Sequence, residues 1–263
     1  MSVLDYCTAG ARVAERVLAR RPRLGHEERL VFVVGCPRSG TTFLGRAVGG
    51  LPGFVDLGEV TPWKAALPAS PTPEELRRIL ERVRLIGLAR GMRGVEQTPE
   101  TAHVLGAALA AYPQARALHV LRDGRDVVCS LLERGWLNAE RRGRDDAGLV
   151  YGAEPRFWVE PQRREEFARV SDARRCAWAW RRYVEAARGA EPRERVLEVR
   201  YETLASAAER IAAFLDAPAA NLHRALDGFR DSSIGRWRND LTPEQLADVE
   251  AEASALLREL GYA

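Results

Sequence analysis

Four apolar residues, Val31-Phe32-Val33-Val34, pass directly into Gly35-Cys36-Pro37-Arg38-Ser39-Gly40 and then into Thr41-Thr42-Phe43-Leu44. An uninterrupted apolar run of that length fits a strand covered on both faces, as in a parallel sheet, and parallel strands need crossover connections, usually helical. The chain is thereby steered to an α/β fold in which a strand, a tight turn and a helix start follow one another. Gly35 and Gly40 let the backbone turn closely. Ser39, Thr41 and Thr42 place hydroxyls beside the N–H groups of a helix N-terminus, and Arg38 adds a fixed charge. Such a turn suits a phosphate, although plain α/β packing is the alternative reading. The ATP and GTP loop ends in Gly-Lys-Ser/Thr, and its lysine is absent here.

The remaining pattern repeats the alternation. Residues 2–21 read as an amphipathic helix stopped by Pro22, the helix from Thr41 ends near Gly49-Gly50, and Phe54 to Glu59 read as a short strand ending on a carboxylate. Thr72-Pro73-Glu74-Glu75 opens a helix running to about Arg90, by its N-cap, proline and acidic first turn. Val95 to Pro99 is a strand end, with a helix from Glu100 to Ala111. Ala115 to Leu121 is a central strand, Arg122 to Arg125 a loop and Asp126 to Arg134 a helix. A long helix over Ser171 to Ala187, a late strand over Val196 to Tyr201, and helices at 206–215 and 243–259 complete the chain. The reading is a three-layer α/β fold, a parallel central sheet flanked by helices. Residues 135–172, rich in arginine, acid, glycine and aromatics, break the pattern as a substrate-side excursion or lid on a single domain of residues 1–263.

The 263 residues, 46% hydrophobic and 29% charged, are enough for a substantial core. No basic start with an apolar core opens the chain, and no apolar run is long enough to cross a bilayer, so a soluble, cytoplasmic protein is expected. Cys7, Cys36, Cys129 and Cys176 are scattered without metal-ligand spacing, which argues against a metal site or disulfide framework. A net charge of +3 argues against a dedicated nucleic-acid binder but leaves room for a local basic cleft. Lys64 is the only lysine. Because every other cation is arginine, the choice of arginine at position 38 carries less weight than its chemistry, a permanent charge with two donors for phosphate or sulfate oxygens.

The string Pro37-Arg38-Ser39-Gly40-Thr41-Thr42 resembles the 5′-phosphosulfate loop of the sulfotransferases, which use 3′-phosphoadenosine 5′-phosphosulfate (PAPS) and release adenosine 3′,5′-bisphosphate (PAP). Further segments resemble the family in its own order. ALHVLRDGRDVVCSLLERG, residues 117–135, is similar to the 3′-phosphate segment: an arginine at a strand end, Arg122, and a serine eight residues later, Ser130. Arg134 follows one helical turn on and matches a phosphate-binding arginine of the protein-tyrosine sulfotransferase branch. VRYETL, residues 199–204, resembles the Tyr-Glu-Asp segment, which implies an adenine contact for Tyr201, or else a half-buried structural tyrosine. Phe43 stands where cytosolic members stack an aromatic on adenine, unless it is core. Residues 229–239 resemble the loop that closes over the nucleotide. There Arg230 matches the first arginine, Asp231 and Ser232 replace a lysine and a glycine, and Gly235, Arg236, Trp237 and Arg238 follow. The resemblance implies a P-loop-like sulfotransferase fold with PAPS as co-substrate and PAP as product.

Sulfuryl transfer makes demands like those of phosphoryl transfer: an aligned acceptor, removal of its proton, and stabilisation of the departing phosphate. Arg38 and the loop N–H groups suit the last. Glu59, 21 residues after Arg38 at the end of the next strand, stands where the protein-tyrosine sulfotransferases carry a catalytic glutamate, and that resemblance makes it the general-base candidate. Capping a helix or pairing with an arginine is its alternative role. Glu96-Gln97-Thr98-Pro99 stands where many relatives carry Glu-Lys-Thr-Pro, so Gln97 can hydrogen-bond a sulfuryl oxygen but supplies no charge. Lys64 is a candidate substitute, and His103 a second base, with a structural or solvent-exposed role favoured for it. The acceptor is left open: a small molecule, glycan, lipid or peptide. The rival readings are an ATP-dependent small-molecule kinase and a nonenzymatic PAP or nucleotide-binding protein.

Overall fold

The computed structural model describes residues 3–19, 30–59, 72, 74, 92–138 and 161–262. Its centre is a five-stranded sheet, all parallel: β1 (Val31–Val34), β2 (Phe54–Gly58), β3 (Arg93–Glu96), β4 (Arg116–Leu121) and β5 (Val196–Arg200), in the order β2-β3-β1-β4-β5. β1 is central because its four residues are buried on both faces. Val31 and Val33 turn to one face and Phe32 and Val34 to the other, the period of two that a pleated strand imposes.

The first face is covered by α2 (Thr41–Gly49) and, late in the chain, α7 (Ala208–Leu215) and α8 (Ala219–Leu226), through Leu44, Val48, Ile211, Leu215, Leu222 and Leu226. The opposite face takes α3 (Leu105–Ala111), α4 (Gly124–Arg134), α6 (Asp172–Arg188) and α10 (Pro243–Glu259), with Ala9 of α1 (Val3–Ala19). Trp178, Trp180 and Tyr183 of α6 are fully buried there. Three layers result. α10 runs over the predicted residues because Thr242 and Gln245 close a capping box ahead of Pro243.

Several boundaries differ from expectation. The helix expected from Glu100 is a 3-10 turn over Pro99–Val104 that becomes α-helical only at Leu105, because Glu96 ties back the preceding segment through Thr98 and Thr101. α4 starts at Gly124, not Asp126: Asp123 caps it by accepting from the Arg125 N–H at 2.9 Å. The strand expected to include Tyr201 stops at Arg200, and Tyr201–Ala207 form a 3-10 turn ahead of α7. Within 135–172, α4 gives way to a turn after Gly135, residues 139–160 lie outside the described residues, and α5 (Arg164–Arg169) precedes α6. The helix expected from Thr72 to Arg90 and the Lys64 position also fall outside them. Among the described residues, α5, α8 and the short α9 (Trp237–Asp240) were not anticipated.

The excursion leaves and returns at one place. Arg175, 4% exposed, donates to the carbonyls of Leu137 at 3.3 Å, Phe167 at 2.9 Å and Ala168 at 2.5 Å. A buried guanidinium needs several acceptors to offset its desolvation, and three carbonyls from the two ends of one excursion meet that need. Among the described residues, no helix is long and apolar enough to cross a membrane.

Candidate functional site

The carboxyl ends of parallel strands carry the loops that bind ligands, at the point where the strand order reverses. Here β1 is that point: the chain passes from it to β2 and β3 on one side and to β4 and β5 on the other. At its end Gly35, at φ +153°, brings the backbone so close to β4 that a Cβ would lie 2.5 Å from the Val120 carbonyl oxygen. Arg38 is left-handed at φ +75°, an uncommon conformation for a side-chain-bearing residue, and Gly40 follows at φ +96°. Gly40 caps α2 without a side chain to accept from the first-turn amides, and no acid occupies that turn. The helix N-terminus therefore presents donors and a positive dipole end to an anion.

The side chains converge from the ends of β1, β4 and β5 and from the loop 228–236. Arg38 Nε donates to Ser130 Oγ at 2.9 Å. Arg122, just beyond β4, donates from Nη1 to the Arg38 carbonyl at 3.0 Å and from Nη2 to the Ser233 carbonyl at 2.7 Å, and its guanidinium lies 4.4 Å from the Tyr201 ring centroid. Trp180 Nε1 holds the Arg122 carbonyl at 3.1 Å from the core side. The Tyr201 hydroxyl lies 3.2 Å from Ser233 Oγ, and Phe229 stacks edge-on between Tyr201 at 4.9 Å and Phe43 at 5.6 Å.

These residues enclose a cavity of about 430 Å³. It is lined by Arg38, Gly40, Thr41, Thr42, Phe43, Arg122, Ser130, Tyr201, Arg230 and Arg236, all singled out from the sequence, and by Glu133, Gly228, Phe229 and Ser233, which were not assigned a site role. Four arginines against one glutamate make it a basic cavity. Arg38's pKa is lowered, first by burial and then by the charges of Arg134 and Arg122, a crowding that a bound anion would relieve. Arg236 is raised by its bonds to Glu133 and Asp240.

The other expected residues lie around this wall and are not among those lining it. Ser39 is buried, its N–H closing a turn on the Cys36 carbonyl at 3.1 Å. Arg134 lies 5.9 Å from the Trp136 ring centroid. Ser232 and Gly235 share the loop of Arg230, Ser233 and Arg236, and Trp237, the first residue of α9, is stacked by Arg125 at 3.9 Å. Tyr201 presents a different environment from that of a bare strand-end tyrosine: Gly40 approaches its ring so closely that a Cβ would lie 2.6 Å away.

Glu59 follows β2, half-buried, two strands from β1. The pairing of β2 with β3 slips between Asp56 and Gly58, so that Gly58 faces Glu96. Such a bulge re-aims the residue that follows. Asp56 accepts from the Gly58 N–H at 2.9 Å and from Arg12 of α1 at 2.9 Å, fixing the bulge. Glu96, fully buried, is pushed up to about 7, chiefly by burial and in part by the charge of Glu59 beside it. Gln97 is not among the residues lining the loop cavity: its amide packs under α2, with Oε1 2.7 Å from where a Gly45 Cβ would stand and without a hydrogen-bond partner among the described residues. His103 is half-buried, edge-on to Tyr183 at 4.5 Å, and its pKa is pushed down by burial.

Fold and site together define an α/β protein of the P-loop type with a basic cavity at the carboxyl ends of its strands. Residues 28–227 match the family described as the sulfotransferase domain, and the chain belongs to that family. No curated protein matches it in sequence. The sulfotransferase domain from the curacin biosynthetic pathway is similar in structure, with a TM-score of 0.53 and 18% identity over 88% of this chain and 98% of that one. Mouse sulfotransferase SULT7A1 complexed with PAP aligns at a TM-score of 0.49 and 17% identity, over 94% of this chain and 91% of that one. A sulfotransferase from Alicyclobacillus acidocaldarius aligns at 0.48 and 16% identity, over 88% and 96%.

Proposed function

We propose that the protein transfers the sulfuryl group of PAPS to a hydroxyl or amine and releases PAP. The observation that carries this reading is the convergence of Arg38, Ser130 and Arg122 at one cavity, from a loop, a helix and a strand end. In it, Ser130 and Arg122 hold the 3′-phosphate, and the first-turn N–H groups of α2 with Arg38 hold the 5′-phosphosulfate. Phe43 and Tyr201 flank the adenine.

The acceptor oxygen or nitrogen attacks sulfur in line as the bond from sulfur to the 5′-phosphate oxygen breaks. That oxygen keeps the electron pair and leaves with PAP. Arg38 and the loop amides stabilise its charge, which develops where the donors already point. Glu59 takes the acceptor's proton. It stands across β3 from the Arg38 loop, about 10 Å by strand spacing, which leaves room for an acceptor between them. Neutral Gln97, buried under α2, adds no charge, so the arginines carry the transition state.

PAPS labelled in its sulfuryl group and presented with panels of glycans, lipids, peptides and small hydroxyl or amine compounds tests the reading. Label transfer by the wild type, lowered about a hundredfold or more by Glu59→Gln, is expected. An intact protein that neither transfers label nor releases PAP across the panel contradicts it.

A further inference from the structure

The outer wall of the cavity is the loop 228–236, which contributes Phe229, Arg230, Ser233 and Arg236. It lies between α8 and α9 and belongs to no strand. Its internal backbone bonds are turns, such as Ile234 N–H to the Asp231 carbonyl at 2.8 Å. Two backbone amides at its end are taken from beneath by one side chain, and Glu133 on the same helix accepts from the Arg236 guanidinium at 3.2 Å. Asp126, fully buried in the first turn of α4, accepts from the Gly235 N–H through Oδ2 at 2.8 Å and from the Trp237 N–H through Oδ1 at 3.1 Å.

Both carboxylate oxygens are thus committed to the loop. Charge-assisted bonds of this kind are about twice as strong as neutral ones. Gly235, at φ +74°, supplies the left-handed step that turns its amide toward the helix. Asp126 and Ser130 are one helical turn apart on α4, so a single helix face carries both the loop's anchor and a lining residue of the cavity. The loop's inner edge is tied separately, by Arg122 to the Ser233 carbonyl and Tyr201 to the Ser233 hydroxyl.

We propose that Asp126 is a positioning residue for the donor. By clamping the Gly235 and Trp237 amides it sets Arg230, Ser233 and Arg236 around the cavity without touching the ligand itself. The identity of that ligand rests on the PAPS reading above; the clamp does not.

Asp126→Asn keeps the volume and one acceptor but turns an amide donor toward a backbone N–H. Hydrogen exchange followed by mass spectrometry, and PAP titration by calorimetry, read the two halves of the proposal. Exchange in 229–240 is expected to quicken about tenfold or more while 31–49 is unchanged, and PAP affinity to fall about tenfold, the scale of a lost charged hydrogen bond. Asp126→Glu, which restores both carboxylate oxygens, should recover part of each loss. Unchanged exchange at Gly235 and Trp237 overturns the clamp, and faster exchange with PAP affinity within about twofold of wild type overturns the positioning role. A wild type that does not bind PAP counts against the donor reading, and exchange alone then decides the clamp. Should the variants not fold, the wild type decides: Gly235 and Trp237 amides must exchange more slowly than those of Asp231 and Ser232.

Discussion

Arg38 and Ser130 are joined by a 2.9 Å hydrogen bond from the guanidinium Nε to the hydroxyl, across 92 residues of sequence. One comes from the turn after β1 and the other from the helix after β4. The bond is possible because β1 and β4 are neighbours, with Val34 opposite His119. Ligand affinity at this place therefore depends on the register of two central strands as well as on the side chains.

Arg122 is the fork between them, donating to the Arg38 and Ser233 carbonyls at 3.0 and 2.7 Å. Arg122→Lys keeps the charge but has no planar fork to span both. PAP affinity should fall about tenfold or more in calorimetry, with the thermal midpoint lowered by only a few degrees.

Gly40 and Gly53 are both left-handed, but a Cβ at Gly40 would meet the Tyr201 ring at 2.6 Å, while a Cβ at Gly53 would meet nothing within 4 Å among the described residues. Gly53→Ala should cost about 1 kcal/mol from backbone strain alone. Gly40→Ala should cost visibly more in urea unfolding, and should also shift Tyr201 enough to weaken PAP binding.

Glu96 gives the protein a pH signature. Its carboxyl is raised from 4.5 to about 7 by burial, so the folded state holds a proton that the unfolded state has released. Its contribution is fully present below pH 4.5 and is lost as pH rises through about 7. Urea unfolding of the wild type at pH 5 and pH 7.5, set against Glu96→Gln, should show the difference between the two pH values shrink in the variant.

Arg175→Met should destabilise by about 3 kcal/mol, because the carbonyls of Leu137, Phe167 and Ala168 lose their buried donor. Proteolysis should then cut between 137 and 168 faster than in wild type.

Much of this architecture was legible in local sequence. The apolar run at 31–34, the long helical stretches at 171–187 and 243–259, and the loop 37–42 each state their structure within a few residues. The pairings that build the cavity were less so. Arg122 and Ser130 were identifiable by family resemblance, but the Ser233 carbonyl on Arg122 and the Asp126 clamp join segments about a hundred residues apart that no spacing predicts. The 3-10 turn at Pro99 was hidden because a buried carboxylate two residues before Thr98, not helix propensity, decides the backbone there. α8 is hard to read locally because Pro218 at its N-cap offers no side-chain acceptor to mark a helix start, and the short apolar pattern of Leu222 and Leu226 shows its meaning only against α2.

The central claim is a PAP-shaped anion site built from Arg122 and Ser130, and calorimetry with PAP and with ATP on the wild type and the Arg122→Ala/Ser130→Ala double variant tests it most directly. The account predicts PAP binding that the double variant loses, with ATP binding more weakly to the wild type. ATP binding with no response to PAP would contradict it and favour a kinase.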